Sequence, residues 1–276
     1  MTNITLGYSP CPNDTYIFYA LVHNMINDAP KVCEVLEDIE TLNKKALSGV
    51  LDATKISFHA FLHLREQYCL LHSGGALGYG CGPLIVSRSD VDPLDLHKLR
   101  VAIPGRLTTA ALLLRLFDPK ISNLVVMPFH EIMRAVEQGH VDAGVIIHES
   151  RFTYPVYGLR KILDLGEWWE LNTGHAIPLG GILIRRDFGV EFVEKFDLAL
   201  YSSIEYAQTH PQDVVEYVCT NAQEMDLEVV QSHINLYVNR HTLDYGREGE
   251  AAIAELIQRS EDLDLVPKFS QSLFVV

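Results

Sequence analysis

The sequence predicts an α/β protein built from two similar lobes with a ligand cleft between them. Three observations carry that expectation. First, Ser48-Gly-Val-Leu-Asp-Ala53 recurs as Gln138-Gly-His-Val-Asp-Ala143, 90 positions further on. Each copy reads as a helix end, a glycine, an Asp-Ala pair and a strand. Second, Ser9-Pro10 and Ile103-Pro104 occupy similar corners after a strand. Third, Gly82-Pro-Leu-Ile-Val-Ser-Arg-Ser-Asp90 is echoed by Gly180-Gly-Ile-Leu-Ile-Arg-Arg-Asp187. One short match of this kind arises by chance. Three in the same order favour duplicated lobes of alternating strands and helices.

The elements follow in order. Ile4 to Tyr8 is the first strand, and Ser9-Pro-Cys-Pro-Asn-Asp14 is a turn rich in capping residues. A helical pattern covers Thr15 to Met25; its N-terminal N–H groups would cradle an anion or carbonyl above the strand. Val32 to Val35 is a strand, Glu40 to Leu47 a helix stopped by Gly49, and Leu51 to Ile56 a strand running on to Ser57. Phe58 to Tyr68 reads as helical and Pro83 to Arg88 as a strand. The layout then repeats: strand Leu99 to Ile103, a turn into a helix at about Thr108, a strand at Val125 and Val126, helix Glu131 to Glu137 and strand Val141 to Ile147. Beyond Arg186 the chain reads as helices over Gly189–Gln208, Pro211–Asn221, Leu227–Tyr237 and Gly249–Arg259, with His210-Pro211 separating the first two. The expected organisation is lobe one at 1–88, an inserted lobe two at 89–182, and a mainly helical return to lobe one at 183–276.

Composition limits the function classes. The chain has 276 residues, long enough for a substantial core, and 22 basic against 36 acidic residues give a net charge of −14. That balance argues against a nucleic-acid or anionic-membrane binder, whose affinity comes from neutralising phosphates. It leaves room for a small carboxylate held by a few local donors. The five cysteines form no Cys-x-x-Cys, which suits reduced thiols. No segment reads as a signal peptide or a membrane span, so a cytoplasmic protein is expected.

The candidate chemistry gathers at Gly144-Val-Ile-Ile-His-Glu-Ser-Arg-Phe152. A short β-branched run stops at His148 and passes at once into Glu149, Ser150 and Arg151. Ligands in open α/β sheets sit outside the carboxyl ends of the strands, and imidazole exchanges its proton near neutral pH. His148 is therefore the candidate centre; the plainer alternative is a histidine that only hydrogen-bonds at a strand end. Lys55 interrupts an apolar strand and needs a ligand or a buried partner, Glu149 or Asp14. The expected cleft lining is Asn13-Asp14, Lys55 to Ser57, Thr108-Thr109 and His148.

Other motifs fall short. His148-Glu149 lacks the second histidine of a zinc-protease helix, because position 152 is Phe. His59 and His63 have metal-ligand spacing on a helix but no third ligand nearby. Ser73-Gly-Gly-Ala-Leu-Gly-Tyr-Gly-Cys-Gly82 matches neither a phosphate loop nor a dinucleotide fingerprint and reads as a close-packed loop. Cys11, ahead of a helix start, could pair with His148 as a nucleophile or simply pack. Ser150 lacks a nucleophile elbow. Trp168, Trp169 and Tyr154 suit either an aromatic ligand or a core.

Five segments together resemble a known family: Gly7-Tyr-Ser-Pro-Cys-Pro-Asn-Asp-Thr15, Thr54-Lys-Ile-Ser57, Ser73-Gly-Gly-Ala-Leu-Gly78, Pro104-Gly-Arg-Leu-Thr-Thr109 and Ile147-His-Glu-Ser-Arg-Phe-Thr-Tyr154. They are similar to the 1,4-dihydroxy-6-naphthoate synthases of the futalosine route to menaquinone. The sibling chorismate dehydratases share the fold but lack the first and last of these combinations. The resemblance implies a periplasmic-binding-protein type II fold and a lyase acting on cyclic dehypoxanthine futalosine. It also implies proton abstraction by His148 and substrate contacts at Lys55, Ile56, Ser57, Thr108 and Thr109. Asn13 and Arg151 join the candidate contacts on placement alone. No metal or organic cofactor is expected. The alternatives are chorismate dehydration, or a non-catalytic protein that binds a small carboxylate.

Overall fold

The computed structural model describes residues 3–222 and 226–274. Residues 1–2, 223–225 and 275–276, which the expected lobe-one ranges include, lie outside the described residues. The chain opens with β1 (Ile4–Tyr8), α1 (Pro12–Val22), β2 (Val32–Leu36), α2 (Ile39–Leu47) and β3 (Ala53–Ser57). The short α3 (Phe58–Phe61), β4 (Tyr68–Leu70) and β5 (Ala76–Gly78) follow. Next come β6 (Leu84–Ser87), β7 (Val101–Ile103), α4 (Thr109–Phe117), β8 (Leu124–Val126), α5 (Phe129–Glu137) and β9 (Ala143–Ile146). Then α6 (Ser150–Thr153), β10 (Arg160–Asp164) and α7 (Leu165–Thr173) lead to β11 (Ile177–Arg185). Five helices close the chain: α8 (Val190–Thr209), α9 (Pro211–Asn221), α10 (Leu227–Tyr237), α11 (Arg240–Leu243) and α12 (Gly246–Asp262).

The duplication is visible in the topology. One sheet has the order β2-β1-β3-β11-β4, with β5 also on β11; the other has β8-β7-β9-β6-β10. In each, the first three strands are parallel and the fourth runs antiparallel to the third. Thus β1, β3 and β11 correspond to β7, β9 and β6. Gly49 and Gly139, paired by the 90-residue echo, both end a helix at positive φ, +68° and +76°. An L side chain resists that conformation, so glycine serves at both stops.

The lobes divide elsewhere than residues 88 and 182. Strand β6 pairs with β9 and β10, all in the second sheet, whereas β11 pairs with β3, β4 and β5 in the first. The chain therefore crosses before each strand, within 79–83 and 165–176, because one short strand satisfies its ladder in one sheet only. The crossings touch. A Cβ at Gly82 would lie 2.3 Å from the Gly166 backbone. The start of the glycine-rich loop is equally crowded: a Cβ at Gly75 would meet the Tyr245 ring at 2.2 Å.

One apolar cluster joins the halves, with Leu42, Ile56 and Leu70 from one side, Ile85, Val101 and Val145 from the other, and Leu112, Trp169 and Leu256 between. Trp169 is wholly buried and donates its indole N–H to Ala176 O at 3.1 Å. Trp168 meets Phe117 edge-on and Tyr154 packs on the second lobe. All three aromatics are packing residues. Helix α8 lies on α1, where Ser203 Oγ accepts from Leu21 N–H and donates to Ile17 O.

Two local readings differ. Helix α1 starts at Pro12, not Thr15, since proline's fixed φ suits a first helical position. The expected helix 58–68 stops at Phe61, and buried Arg65 donates to Leu62 O and pairs with Glu261 at 2.9 Å. No helix among the described residues is long and apolar enough to cross a membrane.

Gly82→Ala is expected to lower the unfolding free energy by about 2 kcal/mol or more, because backbone must shift to admit the methyl group. Gly80→Ala, where a Cβ meets nothing within 4 Å but φ is +66°, is expected to cost only about 1 kcal/mol. Urea unfolding of both variants checks the difference; equal losses would contradict the contact.

Candidate active site

A cavity lies between the lobes at the carboxyl ends of β1, β3 and β9. It is lined by Asn13, Lys55, Ser57, Thr108, Thr109 and His148, together with Asp14 and Tyr237 among others. Seven of the sequence-predicted lining residues, Asp14 included, thus meet at one place. Ile56 does not: alternation along β3 turns it to the opposite face, and it is 0% exposed in the shared core. Arg151 is also drawn elsewhere. Its guanidinium donates to Gly82 O and to Asp164, at 2.7 Å for the latter. Asp164 in turn caps α7 through the N–H groups of Gly166 and Glu167. Arg151 therefore braces the crossing between lobes.

The buried Lys55 has Asp14 as its partner, with Nζ 2.7 Å from Oδ1 and both side chains at most 5% exposed. Asp14 is saturated with donors. Asn13 Nδ2 also reaches Oδ1 at 2.8 Å, while Ser9 Oγ and Ser9 N–H reach Oδ2 at 2.7 and 3.2 Å. This corrects the expected anion cradle at α1. A carboxylate already stands in its first turn, and the Asp14 and Thr15 N–H groups both bond Cys11 O. The ammonium also reaches Gly74 O at 3.4 Å, leaving one of its three hydrogens for a ligand.

Helix α4 offers the alternative cradle. Thr108 caps it, its Oγ1 accepting from Ala111 N–H at 3.2 Å and donating to Gly105 O at 2.8 Å. The N–H groups of a first helical turn have no partner within the helix, and here that turn, Thr109 and Ala110, lines the cavity. This end of the second lobe is tied across the cleft. Thr109 Oγ1 donates to Leu179 O, Asn43 Nδ2 to Leu107 O at 3.4 Å, and His59 Nδ1 lies 3.3 Å from Thr108 O. That last contact gives His59 a structural role, with burial the main cause of a pKa lowered to about 4.

His148 follows β9 in the left-handed region, at φ +55°, where histidine is among the more tolerant residues. The chain thereby turns from strand to the start of α6 within a few residues. The ring is half-buried, meets Phe129 edge-on at 5.1 Å, and stacks near His233 at 6.2 Å. Burial pushes the imidazole below its ordinary pKa, against Glu149 and Asp14 and with help from Lys55. It is thus neutral at neutral pH. Cys11 Sγ lies 3.5 Å from Nδ1. Burial, Glu149 and Asp14 hold that thiol well above its usual pKa, so the pair lacks the thiolate that a nucleophile needs.

Two contributors escaped the sequence reading. His233 Nε2 lies 2.9 Å from Asn13 Oδ1, and Tyr237 lines the cavity. Val230, His233 and Tyr237 share the buried face of α10. Their spacing marks a packed face, but only the fold sets it against the cleft.

Lys55→Met is expected to destabilise the protein by roughly 3–5 kcal/mol by leaving Asp14 buried and unpaired. Lys55→Met with Asp14→Asn is expected to lose less than Lys55→Met alone. Denaturant titration decides it, and a double variant less stable than Lys55→Met would contradict the pairing. His59 also makes stability pH-dependent. Its folded pKa of about 4 lies below the ordinary 6.5, so the unfolded chain binds the proton first as pH falls. Stability is full above 6.5 and declines towards pH 4, by on the order of 3 kcal/mol from this group. His59→Gln is expected to flatten that decline in unfolding measured across the pH range; an unchanged slope would contradict it.

A cleft between two like α/β lobes, gathering polar groups at strand and helix ends, defines a binding-protein-like fold. A solved Candida albicans protein described as having the generic periplasmic binding protein fold has a TM-score of 0.70 at 13% identity, covering 99% of this chain and 93% of that one. The chain belongs to the menaquinone biosynthesis family, whose model matches residues 4–262. A Thermus thermophilus protein named 1,4-dihydroxy-6-naphthoate synthase is 48% identical over 100% of both chains. A Streptomyces coelicolor protein of the same name is 45% identical, covering 96% of this chain and 95% of its own. A crystal structure of an Archaeoglobus fulgidus protein gives a TM-score of 0.90 at 37% identity, with 96% and 98% covered.

Proposed function

We propose that this chain is a carbon–carbon lyase of menaquinone biosynthesis, converting cyclic dehypoxanthine futalosine into 1,4-dihydroxy-6-naphthoate and a sugar fragment. The observation that carries the reading is likeness along the whole chain to two proteins bearing that synthase name, at 48% and 45% identity. The cleft chemistry supports it. His148 removes a proton next to a carbonyl, the bond to the sugar part breaks, and formation of the aromatic ring drives the elimination. A positioned base of this kind contributes about 10²–10⁴-fold. The lowered pKa of His148 supports the role, since only the neutral ring accepts a proton.

The substrate carboxylate and the developing enolate are held by the free hydrogen of Lys55, by Ser57, and by the first-turn N–H groups of α4 at Thr109 and Ala110, which the Thr108 cap orients. Asn13 contributes through Asp14 and His233, to which its amide is bonded. The scheme requires no metal or organic cofactor. The proposed partner is a small carboxylate, neither nucleic acid nor membrane, and a net charge of −14 supports that choice. The cytoplasm is the proposed compartment, supported by cysteines that are all free.

Incubation with cyclic dehypoxanthine futalosine, followed by mass spectrometry, is expected to yield the naphthoate. His148→Asn is expected to lower turnover about 100-fold or more while Kd changes by less than about tenfold. Turnover within about tenfold of the parent removes His148 from the base role. Ligand bound but recovered unchanged identifies a binding protein, and conversion of chorismate identifies a dehydratase.

A further inference from the structure

Three donor groups of different chemistry converge beside the cleft. A ring nitrogen of His148, Cys11 Sγ and a carboxylate oxygen of Glu149 all lie within 4.8 Å of one another. They come from both lobes: Cys11 precedes α1, while His148 and Glu149 follow β9. A second observation is independent of their proximity. Glu149 is only 9% exposed, and its Oε2 has no hydrogen-bond partner. A buried carboxylate oxygen left without a donor carries most of its desolvation cost, and the reaction scheme above assigns it no task.

We propose that Cys11, His148 and Glu149 form a binding site for a thiophilic divalent cation of the zinc class, which bridges the lobes and silences His148. One sulfur, one imidazole nitrogen and one carboxylate oxygen are ligands that such a cation accepts together. Bonds of about 2.0–2.3 Å in a tetrahedron set neighbouring ligands roughly 3.5 Å apart, and Cys11 Sγ already lies 3.5 Å from His148 Nδ1. The third ligand needs only a small side-chain movement.

Charge favours the same ion. On binding, the Cys11 S–H bond breaks, its proton passes to water, and a sulfur–metal bond forms with no change of oxidation state. One thiolate and one carboxylate then balance the two positive charges, and the imidazole stays neutral. The nearest fixed charges, Lys55 and Asp14, already balance each other. Three protein ligands leave a fourth position, and His148 lines the cavity through which water or a ligand carboxylate reaches it. Cation binding rests only on this geometry. Loss of turnover additionally rests on His148 being the base.

Cobalt(II) replaces zinc as a visible probe, because a cobalt–thiolate bond gives a charge-transfer absorption band. The protein tested carries Cys33→Ser and Cys219→Ser, which removes the thiols outside the core and leaves Cys69 and Cys81 buried. One equivalent of cobalt is expected to saturate the band. The band is expected to vanish when Cys11→Ala is added, and half-saturation to need at least about tenfold more cobalt in Glu149→Gln. Circular dichroism establishes that each variant is folded, and Glu149→Gln decides the matter if Cys11→Ala is not. No band, a band that survives Cys11→Ala, or unaltered affinity in a folded Glu149→Gln overturns the site. One equivalent of zinc is expected to abolish turnover, and a chelator to restore it. A full band with unaltered turnover overturns the silencing and points to the base assignment rather than to the ligands.

Discussion

The buried ion pair between Lys55 and Asp14 holds the site together. An ammonium with 4% exposure stands inside the first lobe only because a carboxylate meets it at 2.7 Å. That carboxylate organises its surroundings. Through Ser9 it fixes the corner after β1, and through Asn13 it reaches His233 on α10. One pair therefore ties the first turn of α1, the centre of the first sheet and the C-terminal helices around one side of the cleft. It also acts on His148, where burial lowers the imidazole pKa, Glu149 and Asp14 raise it, and Lys55 adds to the lowering. The result is a neutral ring beside a neutral thiol, next to a Glu149 whose Oε2 has no hydrogen-bond partner.

Duplication explains why a cleft exists at all. Two sheets with the same strand order each end their central parallel strands at the gap. Each sheet is completed by a strand lying at the opposite end of the inserted lobe, β11 for the first and β6 for the second. The crossings are pinned where Gly82 meets Gly166, and Arg151 braces them through Asp164. The two helix starts facing the gap have diverged in use. A side-chain carboxylate already occupies the first turn of α1, whereas the first turn of α4 lines the cavity and keeps its N–H groups for a ligand. The duplicated scaffold thus carries an internal ion pair on one side and a ligand cradle on the other.

Much of this was legible in the residues, for physical reasons that differ by feature. The echo at 48–53 and 138–143 marked equivalent helix stops because a positive-φ turn selects glycine in both copies. Lys55 announced itself by interrupting an apolar strand, and Asp14 was one of two named partners. The lobe boundaries were displaced because the echo marks the strands β6 and β11, not the loops where the chain crosses. Strand β10 was missed because it lies at a sheet edge and opens with Arg160 and Lys161, charges that edge strands carry. Ile56 was placed at the cavity although period-two alternation points it into the core. Arg151 stands only three residues beyond His148, and nothing local foretold Asp164 as its partner. His233 and Tyr237 read as a packed helix face, and only tertiary structure sets that face against the cleft.

The central claim is that burial keeps His148 neutral at the cleft against Glu149 and Asp14, with Lys55 acting on the side of burial. Carbon-13 labelling of the histidine rings and NMR titration tests it directly, with the signal assigned by its loss in His148→Asn. The account predicts that His148 titrates below 6.5, the ordinary histidine value. A midpoint at or above that value would mean that the carboxylates of Glu149 and Asp14 outweigh burial, and would contradict the account.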